Sequence, residues 1–255
     1  MSKYDLLESK GKKTPISTCA VFEPREGDRK CGSLKIYQQI VGSLMYIAGC
    51  TRPDIQFAAN CLGKYISAPL EKHMIAAKRV LRYLKHTCDA KLIYRANKSN
   101  KLIIYADADF ANDENCKSIS GVTVFYGENL VDWSSNRQQL IALSTCEAEL
   151  NAIKEGCTSA IFYRELITEL MDQEFGRVVT IYNDNLPTND MIETGGKHSR
   201  TKHYKLRIKF VKDLVEDKVV QLKHMPTEEM IADVFTKPLS ETQHYYLLTK
   251  AGMHF

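Results

Sequence analysis

Four acidic residues of the sequence fall at positions where folding can bring them together. Asp107 ends the strand-like run KLIIYAD, and Asp184 ends the strand-like run VVTIYND. Glu149 lies in the first turns of a predicted helix, and Asp233 lies within a last predicted helix. Ligands of open sheets with helical crossovers collect beyond the carboxyl ends of the strands. Neighbouring strands would therefore place Asp107 and Asp184 in one crevice.

Such a cluster of carboxylates is suited to binding divalent metal ions. Like charges a few ångströms apart raise each other's pKa, so the cluster is unfavourable without a cation. Magnesium prefers oxygen ligands, and two ions about 3.5–4 Å apart can hold both the attacking water and the leaving oxygen of a phosphodiester. The eight cysteines form no CxxC pair, which argues against a zinc site and predicts reduced thiols.

Each carboxylate taken singly also has an ordinary structural explanation. An Asp at the end of a strand is usually a turn residue or a helix cap, and Glu149 could lie on a solvated helix face. Asp233 could be a surface charge beside two neighbouring glutamates. Asp109 is an alternative to Asp107, because residues two apart in a strand share a face. Only the joint pattern supports the metal-site hypothesis.

The elements that would position these residues divide the chain into regions. Residues 33–95 predict a small helical bundle, because apolar residues recur at helical spacing in SLKIYQQIVGSLMYIAGC and EKHMIAAKRVLRYLKHT. Residues 96–240 alternate strand-like runs with helices, which predicts an α/β domain. Residues 1–32 are predicted to be irregular, and residues 241–255 to form a C-terminal tail.

Two helix starts carry capping signals. Ser144 followed by Glu147 fits a capping box at the start of the helix that carries Glu149. Thr227 is predicted to cap the last helix, which would end at Pro238.

The net charge of +4 conceals an asymmetry along the chain. Residues 1–95 contain 17 Lys+Arg and 8 Asp+Glu, a net of +9, whereas residues 96–255 contain 18 and 23, a net of −5. A basic region suits contact with a polyanion, and an acidic region suits solvation or metal-binding carboxylates. No long apolar run and no apolar leader occurs. We therefore expect an intracellular protein, cytoplasmic or nuclear, without a membrane partner.

Several strings resemble the carboxy-terminal part of copia-type retrotransposon polyproteins. They are VGSLMYIAGCTRPDIQFAAN, AAKRVLRYLKHT, YADADFA, KSISGVTVFYG, WSSNRQQLIALSTCEAELNAI, IYNDN, RTKHYKLRIKFV and HMPTEEMIADVFTKPL. They follow the order of that family from about residue 33 to residue 255. Long ordered agreement of this kind is more specific than any single motif.

The resemblance implies an α/β fold with a ribonuclease H-like mixed five-stranded sheet and helices on both faces. A thumb or connection remnant of a reverse transcriptase would precede this domain. The resemblance also implies that four carboxylates are catalytic and bind the metal: Asp107, Glu149, Asp184 and Asp233. The implied enzyme is an endonuclease that hydrolyses the RNA strand of RNA–DNA hybrids with two Mg²⁺ ions, or with Mn²⁺, and without a small-molecule cofactor. No Tyr-x-Asp-Asp motif occurs, so no polymerase activity is expected of this chain.

Basic residues in two segments are expected to contact the nucleic-acid backbone, although solvated surfaces would explain them as well. The candidates are Arg79, Arg82, Arg200, Lys202, His203 and Arg207. The expected partners are the hybrid and the remaining domains of the reverse transcriptase. Two other functions stay open, namely a non-catalytic relic that only binds nucleic acid and a different nuclease or transposase on the same type of fold.

Overall fold

The chain divides into two compact units in a computed structural model that describes residues 8–96, 99–111, 115–171, 175–195 and 204–255. The first unit contains Met1–Ile93 together with Lys237–Phe255, and the second contains Tyr94–Thr236. The last residues of the chain thus belong with the first unit, whereas the sequence suggested a separate tail from residue 241 onward. The division between the two units falls between Ile93 and Tyr94.

Helices at the predicted positions form most of the first unit. They are α1 (Leu34–Cys50), α2 (Gln56–Gly63) and α3 (Glu71–His86). Ser33 caps α1, because its hydroxyl oxygen accepts a hydrogen bond from the backbone N–H of Ile36. A 3₁₀ turn, Pro53–Ile55, separates α1 from α2, where the sequence predicted a break at Pro53.

The C-terminal residues complete the first unit. They form α7 (Glu241–Lys250) and β7 (Met253–His254), and β7 pairs antiparallel with β1 (Lys91–Leu92). The Tyr83 hydroxyl lies 3.2 Å from Nε2 of His244, and both side chains are buried. This contact fixes α7 against α3.

A mixed five-stranded sheet forms the second unit and confirms the predicted fold class. Its strands are β2 (Leu102–Asp109), β3 (Ile119–Tyr126), β4 (Asn129–Arg137), β5 (Val179–Asn183) and β6 (Val220–His224). The spatial order is β4-β3-β2-β5-β6. The pairs β4-β3 and β3-β2 are antiparallel, whereas β2-β5 and β5-β6 are parallel.

Three helices pack against this sheet or against each other. They are α4 (Thr145–Met171), α5 (Leu186–Thr194) and α6 (Lys205–Glu216). Gly156 brings α4 close to the sheet, since a Cβ atom there would lie 3.3 Å from Ile104 and 3.5 Å from Ala106. Among the described residues, no helix is both long enough and apolar enough to cross a bilayer.

The sequence predicted an α-helix between Thr227 and Pro238, and this prediction is wrong. Two 3₁₀ turns, Thr227–Glu229 and Ile231–Phe235, lie there, with an extended Met230 between them. All five residues of the second turn are buried, whereas an amphipathic α-helix on a sheet buries only one stripe. This tight segment packs against β2 and β3.

Candidate active site

The strands that carry the first two candidate carboxylates are neighbours. In the parallel pair of β2 and β5, Tyr105 is the partner of Tyr182. Asp107 and Asp184 each lie two residues further along, so the two carboxylates stand at the same level of the sheet. Asp107 lies within β2 and is buried, whereas Asp184 follows β5 and is half-buried.

Asp233 joins these two carboxylates from the 3₁₀ turn Ile231–Phe235. One carboxylate oxygen from each of Asp107, Asp184 and Asp233 lies within 4.8 Å of the other two. Asp107 and Asp233 are each only 2% exposed. The group found among the described residues contains these three aspartates and not Asp109, the alternative candidate on β2.

Glu149 approaches the same place from the start of α4. Its side chain is 3% exposed, and its Oε2 accepts a hydrogen bond of 2.9 Å from Nδ2 of Asn183. Burial raises the pKa of the Glu149 carboxyl well above its ordinary value, and the charges of Asp107 and Asp184 raise it further. Glu149 therefore interacts electrostatically with Asp107 and Asp184, although it is not part of the group of three aspartates within 4.8 Å.

The start of α4 is held by contacts that resemble the predicted capping box only in part. Ser144 Oγ accepts from the N–H of Glu147 at 3.2 Å, as a capping residue does. The Glu147 carboxylate, however, accepts from the N–H of Leu143 at 2.9 Å and pairs with Arg207 Nη1 at 3.0 Å. Arg207, a candidate nucleic-acid contact, thus links α6 to the helix that carries Glu149.

The other candidate nucleic-acid contacts do not all lie in the described part of the chain. Arg200, Lys202 and His203 fall outside the described residues. Arg79 and Arg82 lie on α3 in the first unit, where they donate hydrogen bonds to Thr14 Oγ1 at 2.8 Å and to the carbonyl oxygen of Lys10 at 2.7 Å.

Three neutral side chains that the sequence analysis missed contact the carboxylates. Thr236 Oγ1 donates to Asp107 Oδ2 at 2.5 Å, and Thr227 Oγ1 donates to Asp184 Oδ2 at 2.7 Å. Asn183 is the third, through its bond to Glu149. Their positions close to Asp184 and Asp233 in the sequence were the only signal that could have revealed them.

The donor set of this site fits a hard divalent cation. The three grouped atoms are all carboxylate oxygens, which Mg²⁺ and Mn²⁺ prefer over sulfur or imidazole ligands. The spacing within 4.8 Å allows one ion to contact all three aspartates. A cation would also relieve the repulsion that raises the pKa of Glu149.

The chain is similar to several known proteins. It is 32% identical over 254 residues to the retrovirus-related Pol polyprotein from transposon RE2 of Arabidopsis thaliana, a match that covers 99% of this chain and 17% of that protein. It is 38% identical over 127 residues to the secreted RxLR effector protein 161 of Plasmopara viticola, covering 49% of this chain and 89% of that protein. No family model matches the chain.

Solved structures of ribonucleases H also align with the chain. The crystal structure of LC11-RNase H1 in complex with an RNA/DNA hybrid aligns with a TM-score of 0.40 and 17% identity, over 53% of this chain and 94% of that chain.

The similarity to retrovirus-related Pol polyproteins of retrotransposons extends over nearly the whole length of the chain. This confirms the resemblance to copia-type polyproteins that the motifs indicated. The chain spans 17% of the length of the Arabidopsis relative.

Proposed function

We propose that this chain is a metal-dependent endonuclease that hydrolyses the RNA strand of RNA–DNA hybrids within a retrotransposon reverse transcriptase polyprotein. The observation that carries this proposal is the convergence of Asp107, Asp184 and Asp233 within 4.8 Å, at the level where two parallel strands end. The similarity to retrotransposon Pol polyproteins supports the same reaction. The sheet of the second unit supplies the scaffold for it.

The four carboxylates have distinct places in this proposal. Asp107, Asp184 and Asp233 hold the divalent ions, and Glu149 completes the set. When bound, two Mg²⁺ or Mn²⁺ ions supply activation of the attacking water and stabilisation of the leaving 3′ oxygen. Glu149 retains its proton to a higher pH than an ordinary glutamate, and it must release that proton before it acts as a ligand.

We assign the recognition of the hybrid to its backbone rather than to its base sequence. An RNA–DNA hybrid is distinguished by its shape and its 2′-hydroxyl groups. In the first unit, Arg79 and His86 line a cleft of about 520 Å³ together with three lysines, Lys10, Lys12 and Lys13. This concentration of positive charge supports phosphate contact by the first unit. In the second unit, we propose that Arg207, near the start of α6, also contacts a phosphate of the hybrid.

Cleavage of a labelled RNA–DNA hybrid by the purified chain tests this proposal. We expect cutting of the RNA strand with Mg²⁺ and no cutting with chelator. The Asp107→Asn variant should abolish cutting while it retains binding of the hybrid, because the amide keeps the shape of the side chain but removes its charge.

Asp109→Asn is the matched control on the same strand, and it should cut like the wild type. Loss of cutting in Asp109→Asn with full activity in Asp107→Asn would show that the wrong carboxylate has been assigned. A folded wild-type protein that binds the hybrid but never cuts it would favour the non-catalytic nucleic-acid-binding relic.

A further inference from the structure

We infer that Thr236, Thr227 and Asn183 are positioning residues that cross-brace the carboxylates and thereby set the metal affinity of the site. This inference rests on the proposed function, because it concerns the same four carboxylates. It goes beyond that function by assigning a role to neutral residues that do not themselves bind the metal.

The pattern of donors is what distinguishes these contacts from ordinary side-chain hydrogen bonds. Each donor lies on a chain segment that carries one carboxylate, and it binds a carboxylate of another segment. Thr236 follows Asp233 by three residues and donates to Asp107 on β2. The carbonyl oxygen of Asp233 lies 3.3 Å from the same hydroxyl. Thr236 therefore ties the 3₁₀ segment to the sheet.

Thr227 makes the second brace. It lies at the start of the segment that leads to Asp233, and its hydroxyl donates to Asp184 after β5. Two carboxylates from two neighbouring strands are thus bonded by residues on either side of the third. The segment 227–236 cannot shift along the sheet without breaking both bonds.

Asn183 makes the third brace, and its side chain is fully buried. Its Nδ2 donates both to Glu149 Oε2 at 2.9 Å and to the carbonyl oxygen of Ala106 at 3.2 Å. Its Oδ1 accepts from the N–H of Asn185 at 2.9 Å. Asn183 therefore joins β5, β2 and α4 at one point.

These braces have a physical consequence for metal binding. Carboxylates that repel one another would move apart in the metal-free protein unless they were held, and a metal would then have to reassemble them. Neutral donors hold the carboxylates without adding a positive charge that would compete with the metal. Loss of an outer-shell partner of this kind typically weakens metal binding about 10–100-fold.

Titration of the full chain with Mn²⁺, followed by electron paramagnetic resonance, tests the inference. The Thr236→Val variant keeps the size of the side chain but removes the hydroxyl, and we expect its Mn²⁺ affinity to fall about 10–100-fold. Thr236→Ser restores the hydroxyl and should restore the affinity. A merely structural role of the residue would not produce this rescue.

The exposed Thr227 supplies a second variant in case the buried substitution prevents folding. Thr227→Val should also weaken Mn²⁺ binding while the circular dichroism spectrum stays that of the wild type. Wild-type affinity, or a higher affinity, in both valine variants would overturn the bracing role alone. Failure of the wild-type protein to bind Mn²⁺ would instead overturn the proposed metal site, and the inference with it.

Discussion

Gly121 controls how closely the segment that carries Asp233 can approach the sheet. It lies on β3 directly opposite Asp107, and its φ angle is not positive. A Cβ atom at this position would lie 2.8 Å from the carbonyl oxygen of Ala232 and 2.8 Å from Cγ2 of Thr236. The residue is therefore a glycine because a backbone lies against it, and not because a turn requires it.

The substitution Gly121→Ala should push this segment away from Asp107. Ordinary contacts of a Cβ atom begin at 3.4 Å, so the Ala232 carbonyl must retreat by at least ~0.6 Å. Overpacking of this kind costs about 1–3 kcal/mol, and replacing a strand glycine by alanine offsets about 0.5–1 kcal/mol of it. A misplacement near 1 Å in a catalytic site can reduce the rate about 100-fold.

The Gly121→Ala protein should consequently remain folded and lose much more activity than stability. Thermal denaturation, Mn²⁺ titration and cleavage of the RNA–DNA hybrid measure the three quantities on one preparation. Gly176→Ala is the matched control in the same unit, because a Cβ atom added there would have no neighbour within 4 Å. Wild-type metal affinity and cleavage in Gly121→Ala would refute the reasoning, since the segment could then shift without consequence.

Two buried titratable groups make the stability of the protein depend on pH. Burial lowers the pKa of His244 from 6.5 to about 4. As the pH falls, the unfolded chain therefore binds a proton at this histidine at a higher pH than the folded chain does. The free energy of unfolding should fall by about 3 kcal/mol as the pH drops from 6.5 to about 4, and His244→Gln should remove this dependence in acid denaturation experiments. Glu149 makes the stability depend on pH with the opposite sign. Its pKa is raised above 4.5, so the folded state keeps the proton to a higher pH than the unfolded state does. Stability in the presence of chelator should fall as the pH rises through the raised pKa, and Glu149→Gln should melt at a higher temperature than the wild type at neutral pH but not at pH near 4. Equal melting temperatures of Glu149→Gln and the wild type at neutral pH would contradict the raised pKa of Glu149.

The periodicity of the sequence was sufficient to predict most of the elements. α1 begins immediately after Ser33 and buries the predicted apolar positions Tyr37, Ile40 and Leu44. The strand ends that carry Asp107 and Asp184 also lie side by side, as the site hypothesis required. These features follow from local patterns of apolar residues and from the general rule for open sheets.

Periodicity was insufficient where tertiary contacts decide the local structure. Ile75 belongs to the apolar side of α3 by its spacing and is nevertheless 64% exposed, whereas His73 is buried. The run TEEMIADVFTKPL has the composition of a helix but forms two 3₁₀ turns. The close packing of Ile231–Phe235 against Gly121 favours a conformation that buries all five residues of this turn. No local sequence pattern predicts a contact with a residue more than one hundred positions away.

The same limit explains why the carboxylates could be predicted and their braces could not. A carboxylate is recognisable in the sequence because its charge restricts the chemistry it can perform. Thr227, Thr236 and Asn183 are residue types that occur in any turn or cap, and only the fold shows which oxygen each of them reaches. The three aspartates come from three separate segments, so their approach within 4.8 Å depends on how those segments pack. The close approach at Gly121 and the three neutral donors restrain those segments, so the geometry of the site is a property of the packed sheet rather than of the acidic residues themselves.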